Sequence, residues 1–361
     1  MRKIIAVVLL LCLLLTGHAS AADAERENEI MDNRIVLNYP MFDGEKVWAN
    51  ATVVIKNGVI TEVTVSDEST ADGRYFLMPG LIDAHTHMGT PEQVETMLKY
   101  GVTATCDVSA GAELIDASDQ LMIHSSTGMA MGVVLSGKSY VDKAAKSGAK
   151  YIKVLLFSPH SIGKKALCSI VDAAHEKGLK VAVHATEVAT AQQAVDAGAD
   201  ILLHVPMKEP FPAELAQAIA EKGIAVAPTL VMMETFAHSG RNGYQPEHYA
   251  NAEAAVRLLH ESGVKLLVAT DANPGSFAPG VAYGSSLHRE MELLVSAGLS
   301  PLEVLQGVTS KNAQAFELNG VGSIAPGQKA NLILVEGRPD KEIADSAKIV
   351  QLWVNGKPIM E

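Results

Sequence analysis

The sequence predicts an α/β fold from three observations. From residue 78 onward short apolar runs alternate with segments of helical period, glycines fall where those segments end, and eight such runs can be counted. Eight strands of this kind form either an open doubly wound sheet or a closed barrel. An open sheet with a nucleotide site carries a GxGxxG turn after its first strand, and the sequence has none there. The better reading is a (β/α)8 TIM barrel with a small β-domain beside it.

Taken in order, the first element is a leader. MRKIIAVVLLLCLLLTGHASAADA puts Arg2 and Lys3 before an apolar run from Ile4 to Leu15, then small residues Ala19-Ser20-Ala21 before Ala22, the three-part layout of a secretory signal peptide. The run is 12 residues long, and a membrane-spanning helix needs ~20. Residues 1–21 are therefore expected to be removed by cleavage near Ala21, taking Cys12 with them.

Residues 22–78 contain strand-like runs, RIVLNYPMF and ATVVIKNGVITEVTV, with Asn57-Gly58 at a hairpin position. The eight apolar runs of residues 79–325 and their lead-in are LMPGLIDAH, VTATCDV, MAMGVVLS, YIKVLLF, KVAVHA, ILLHV, IAVAPTL and KLLVATD. Between them, Pro91 to Tyr100, Ile162 to Lys177, Val188 to Ala197, Pro212 to Lys222 and Pro246 to Ser262 carry apolar residues at helical spacing. Each is followed by a glycine, as helix C-termini often are. Residues 326–361 return to strands, ANLILVEG and IVQLWVNGKPIM, with a second Asn-Gly at Asn355-Gly356. The two terminal pieces are expected to join into the one small β-domain.

Composition narrows the functions. A chain of 361 residues, 48% hydrophobic and 19% charged, can bury a large core. The net charge is -12, and loss of Arg2 and Lys3 makes it -14, which argues against nucleic acid or an anionic membrane surface as partner. No segment after the leader is apolar and long enough to span a bilayer, so the mature chain is expected to be secreted or periplasmic. Only Cys106 and Cys168 survive cleavage, both in apolar segments, so this is not a disulfide scaffold. A small-molecule substrate is the expected partner, and a homo-oligomer is left open.

The chemistry begins at LIDAHTHMG. Side chains two apart on a strand share a face, so His85 and His87 project together from the C-terminal end of the first run, where barrel active sites sit. By itself the pair is as readily structural as metal-binding. Lys153 in YIKVLLF, His184 in KVAVHA, His204 in ILLHV and Asp271 ending KLLVATD add polar residues at or near the same edge of four other strands. A buried lysine or aspartate is costly unless paired or coordinated, and one shared metal site accounts for all of them.

As a set, HTH after PGLIDA, the lysine of YIKV, the histidines of VHATE and LLHV, and the aspartate of ATDAN resemble the amidohydrolase superfamily, most closely its imidazolonepropionase and Xaa-Pro dipeptidase (prolidase) branch. The resemblance runs from about residue 45 to the C-terminus. It implies a barrel with a small β-sandwich domain formed by the N- and C-terminal segments. It also implies two divalent metal ions: His85, His87 and Asp271 on one, His184 and His204 on the other. Lys153, carboxylated by CO2, would bridge them. These donors suit Zn2+. A lysine ammonium would repel the ions, whereas its carbamate offers two anionic oxygens across a gap of ~3.5–4 Å.

In such a site a metal-bridging hydroxide attacks the carbonyl, and Asp271 takes a proton and passes it to the departing amine. The implied activity is hydrolysis of an amide C–N bond in a dipeptide or N-acyl amino acid. Two departures from the pattern stand out. The region from Gly111 to Ala149 looks short, and Glu187 makes an HxxE pair with His184, as in mononuclear deaminases of amino-heterocycles. The ordinary reading of Glu187 is an acid in the first turn of a helix. A lactone or phosphotriester hydrolase at the same two-metal centre stays open, as does a binding protein that lost catalysis, although all six positions are present.

A substrate carboxylate would need a cation or hydrogen-bond donors. Candidates on the predicted strand-to-helix loops are His160, Arg241, Tyr244 and Arg289. His288 resembles a histidine common in this branch but receives no role. His124, His175, His248 and His260 fall on expected helices and are read as structural.

Overall fold

The computed structural model describes residues 34–68, 73–157 and 162–359. The expected leader at residues 1–21 and the candidate His160 lie outside the described residues. The strands in chain order are β1 (Arg34–Phe42), β2 (Val47–Lys56), β3 (Val59–Ser66), β4 (Tyr75–Pro79), β5 (Leu81–Thr86), β6 (Val102–Asp107), β7 (Met122–Ser125), β8 (Met129–Ala130), β9 (Ile152–Leu156), β10 (Val181–Ala185), β11 (Ile201–Leu203), β12 (Ala225–Ala227), β13 (Leu332–Glu336), β14 (Ile349–Val354) and β15 (Lys357–Pro358). The protein is α/β, with one mostly antiparallel sheet and two parallel ones.

The two termini meet in a seven-stranded sheet ordered β15-β14-β13-β4-β1-β2-β3. The joint is the antiparallel pairing of β13 with β4, Leu334 opposite Leu77. Inward residues such as Leu37, Val53, Leu332 and Trp353 give this sheet its own apolar core. Both Asn-Gly pairs form hairpin turns with positive φ at both residues, 51° and 79° at 57–58 and 48° and 72° at 355–356. The turns also pack on each other. A Cβ at Gly58 would lie 2.6 Å from the carbonyl oxygen of Asn355, so only glycine fits.

Gly80 separates β4 of this sheet from β5 of a parallel one, and a Cβ there would collide with the side chain of Thr103. The parallel strands form two sheets, β5-β6-β7 and β12-β11-β10-β9-β8. The eighth apolar run, KLLVATD, does not form a regular ladder but lies between them. Leu267 donates its N–H to Val226 O (2.8 Å), and Val268 O accepts from Ala84 N (3.2 Å). Farther along, Asp271 N reaches His85 O (2.9 Å) and His87 N reaches Ala272 O (2.8 Å).

The third run differs from expectation. Of MAMGVVLS only Met129–Ala130 is strand, and Val133 and Leu135 are 89% and 96% exposed. The third position is shared: β7 pairs with β6, and β8 with β9. His124 accordingly sits on β7 and not on a helix.

The helices follow the predicted periods closely: Pro91–Lys99, Lys164–His175, Val188–Ala197 and Ala213–Glu221. Pro246 to Ser262 divides into a 3-10 turn, Pro246–His248, and a helix, Tyr249–Glu261. Gly198 ends its helix in the left-handed conformation, φ 81°. Cys106 is buried, Cys168 half-buried, and both are free. Among the described residues no helix is long and apolar enough to cross a membrane.

Candidate metal centre

The five predicted strand positions converge. His85 is on β5, His87 two residues on, Lys153 on β9, His184 on β10 and His204 just after β11, while Asp271 ends the irregular eighth run. All six residues line one cavity of about 340 Å3. His85 Nε2 lies 3.1 Å from Lys153 Nζ and 3.2 Å from Asp271 Oδ1, and His87 Nε2 lies 3.0 Å from that same oxygen. The rings of His184 and His204 meet edge to face at 4.4 Å, and His204 is 5.5 Å from His85.

Backbone conformation helps to aim these side chains. His204 and Asp271 have φ of 72° and 58°, a region that non-glycine residues enter at a cost of order 1–3 kcal/mol when the surroundings enforce it. Ladder bonds do the enforcing: His204 N donates to Ala227 O (2.8 Å), and Asp271 N to His85 O. Asp83, on the same face as His85 and His87, accepts from His85 N (3.2 Å), Thr270 N (3.1 Å) and Thr270 Oγ1 (2.6 Å), tying β5 to the strand that carries Asp271.

Asp107 accepts from Thr86 Oγ1 and Met88 N on either side of His87, and Tyr283 Oη donates to His87 O. Sequence reading missed Asp83, Asp107, Thr229 and Tyr283. For Asp83 a signal existed, since the two-residue period that pairs His85 with His87 includes it.

The donor set fits a metal ion. Ligand atoms of His85, His204 and Asp271 lie within 4.8 Å of one another. His85 Nδ1, His204 Nε2 and Asp271 Oδ1 are buried without a hydrogen-bond partner, since the close imidazoles reach Asp271 Oδ1 at ion-pair distance without hydrogen-bond alignment. Buried polar atoms left in this state are expensive unless a ligand or ion completes them. Thr229 backs His204: with its hydroxyl donating to Pro228 O (2.7 Å), the hydroxyl oxygen is placed to accept from His204 Nδ1, also 2.7 Å away. The Nε2 lone pair is then the one aimed into the cavity.

Electrostatics favour the same protonation states. Burial, with Lys153 and His87 nearby, brings His184 down to about 3. Burial and the same charged cluster hold His85 and His204 well below the usual imidazole range. Burial brings the Lys153 amine down to about 7 against the opposing pull of Asp271. Neutral imidazoles are the ligand form.

The carboxylate anchors fare differently. Tyr244 lines the cavity, but Arg241 is exposed in a 3-10 turn whose next residue, Asn242, reaches the wall instead. Arg289 lies off the wall, ion-paired with Glu234 (2.9 Å) and Glu292 (3.4 Å). Glu187 takes the N-cap position of Val188–Ala197, its N–H 3.3 Å from Thr190 Oγ1, and does not line the cavity. His288 is buried between Ser346 Oγ (2.9 Å) and Tyr100 O (3.1 Å), a structural role. His175 pairs with Asp200 and His260 with Glu303.

Parallel strands of an α/β protein thus deliver imidazoles, a carboxylate and a lysine to one cavity, a donor set of the kind that can hold a divalent metal ion. The chain belongs to the amidohydrolase family, whose model matches residues 76–359. An imidazolonepropionase from Cereibacter sphaeroides (strain KD131 / KCTC 12085) is 30% identical over 171 residues, 47% of this chain and 39% of that protein. The matched segment thus spans about two fifths of that relative's length.

Solved structures are similar over more of the chain. A Xaa-Pro dipeptidase with bound methionine in the active site superposes with a TM-score of 0.76 at 19% identity, covering 90% of this chain and 99% of that one. A putative prolidase from Bifidobacterium longum gives 0.76 at 24% identity, covering 91% and 95%. At such identities the likeness establishes the fold.

Proposed function

We propose that the protein hydrolyses an amide C–N bond, adding water to release an acid and an amine. The observation that carries this reading is the buried convergence of His85, His204 and Asp271, with His204 Nε2 and Asp271 Oδ1 unpartnered, beside the buried Lys153. His85, His87 and Asp271 would hold one divalent ion, His184 and His204 a second, and Lys153 as a carbamate would join them. Zn2+ suits these donors. An amine brought down to about 7 is partly neutral at neutral pH, and the neutral amine forms an N–C bond with CO2, releasing one proton and leaving an anion. The bound ions would polarise the scissile carbonyl and acidify the attacking water.

The chain's own groups do the rest. Asp271, on the cavity wall, accepts the proton of the attacking water and returns it to the departing nitrogen. His85, His184 and His204, held neutral by burial, do not compete as acids at neutral pH. Thr229 and Asp83 keep His204 and the strand of Asp271 in place. Glu187, off the cavity wall, gives no support to a deaminase.

We also propose that residues 79–325 close as a (β/α)8 barrel and that residues 22–78 and 326–361, whose described strands lie in one seven-stranded sheet, make up the β-sandwich domain. The bonds from Leu267 to Val226 and from Ala84 to Val268, and the change of sheet at Gly80, support it. Cleavage near Ala21 would deliver the enzyme to the periplasm or the exterior.

The test is Asp271→Asn. Loss of a general base and acid lowers turnover by a factor of ~10²–10⁴. The variant should lose that much kcat while still binding metal, and undiminished kcat would contradict the role of Asp271.

A further inference from the structure

Resting on the amide-hydrolase reading, we infer that the cavity takes an amide whose non-reacting part is uncharged and apolar, an aryl or alkyl group, and not the free carboxylate of a dipeptide or N-acyl amino acid. Beyond the metal centre the wall is built from Met207, Met232, Met233, Phe157, Phe236 and Phe277. The three methionines are at most 2% exposed, so this wall is fixed by packing. Thioethers adapt to irregular shapes and make favourable contacts with aromatic rings. Phe277 stands at the mouth, 61% exposed, with its ring 4.9 Å from that of His87. An apolar group entering past it would meet carbon and sulfur on the way to the reacting atoms.

Away from the metal centre a carboxylate would meet little among the described residues that could hold it. Desolvating one without a cation or several donors is strongly unfavourable. Among the described residues the one lysine or arginine on the wall is Lys153, which is packed against His85 near Asp271 and which the proposed function turns into an anionic carbamate. Lys208 is close by, but its Nζ lies over the Tyr244 ring (4.4 Å) and donates to Asn242 O (2.8 Å). The remaining polar wall groups, Thr186, Asn242 and Tyr244, are neutral. A few such groups in a largely apolar pocket orient a ligand without holding an ion. The cavity, about 340 Å3, is at the small end of the ligand-pocket range, which suits a small compound.

The test uses two compounds that differ only by the carboxylate, N-acetylphenylalanine and N-acetylphenethylamine. Binding to the metal-free native chain and to metal-loaded Asp271→Asn is measured by calorimetry, and kcat/KM with the metal-loaded native enzyme. The neutral compound should bind at least about tenfold more tightly to both chains and have the higher kcat/KM. Phe277→Arg, a change at an exposed side chain, should narrow the difference by bringing a cation to the mouth. Equal or tighter binding of N-acetylphenylalanine, or no binding of either compound, would overturn the inference. Tighter binding of the neutral compound without cleavage of either would uphold the cavity's preference and refute amide hydrolysis.

Discussion

Thr229 illustrates how single side chains make this centre. Its hydroxyl proton goes to Pro228 O, its lone pair receives His204 Nδ1–H, and the imidazole is left with Nε2 facing the cavity. Replacing Thr229 with Ala should weaken metal binding 10–100-fold, the usual effect of losing a partner behind a ligand. Thr229→Ser should restore most of it. Competition with a chelator measures this, and an unchanged affinity in the alanine variant would show that His204 needs no such partner.

His85, His87, Lys153, His184, His204 and Asp271 were legible in the sequence because charged or ionisable groups in apolar strands demand an explanation. Thr229 was not, since a threonine in APTL reads as an ordinary strand or cap residue. Arg241 and Arg289 were misplaced for a different reason. Their sequence positions on predicted loops say nothing of competing acids, and Glu234 holds Arg289 on the surface.

At the scale of elements, the helix Leu230–Ser239 begins directly after Thr229, and its first N–H groups are capped from elsewhere in the chain. Glu290, buried on the helix Ser285–Ser296, accepts from Leu230 N (2.9 Å) and Val231 N (2.7 Å). Burial pushes its carboxyl up to about 8, while those N–H groups pull the other way. The unfolded chain releases this proton near 4.5 and the folded chain holds it to about 8. Stability from this group is therefore full below pH 4.5 and is lost as pH rises through 8.

Relative to Glu290→Gln, the native chain should lose up to roughly 1.4 kcal/mol of unfolding free energy per pH unit in that window. Denaturant melts at several pH values measure it. Parallel stability curves for the two proteins would show that Glu290 keeps its ordinary acidity. The helices themselves were legible from period and glycine stops, but a cap supplied from a segment 60 residues away in sequence was not.

For the whole molecule, alternation of strand and helix periods gave the α/β class, and hydrophobicity alone misjudged two of the eight runs. The third lost most of its strand, leaving Val133 and Leu135 exposed. The eighth is held by separate backbone bonds instead of a ladder, and Asp271 at its end takes a positive φ. The joining of the two termini was legible from strand patterns at both ends. Its exact pairing, β13 on β4, depended on register that no local pattern encodes.

Four imidazoles, a carboxylate and a lysine share one cavity, and the proposed hydrolysis requires that they hold metal there. Native mass spectrometry of freshly purified, active protein tests it most directly. Two divalent ions per chain and the added mass of one CO2 on Lys153 are expected. Active protein with a single ion and an unmodified Lys153 would contradict it.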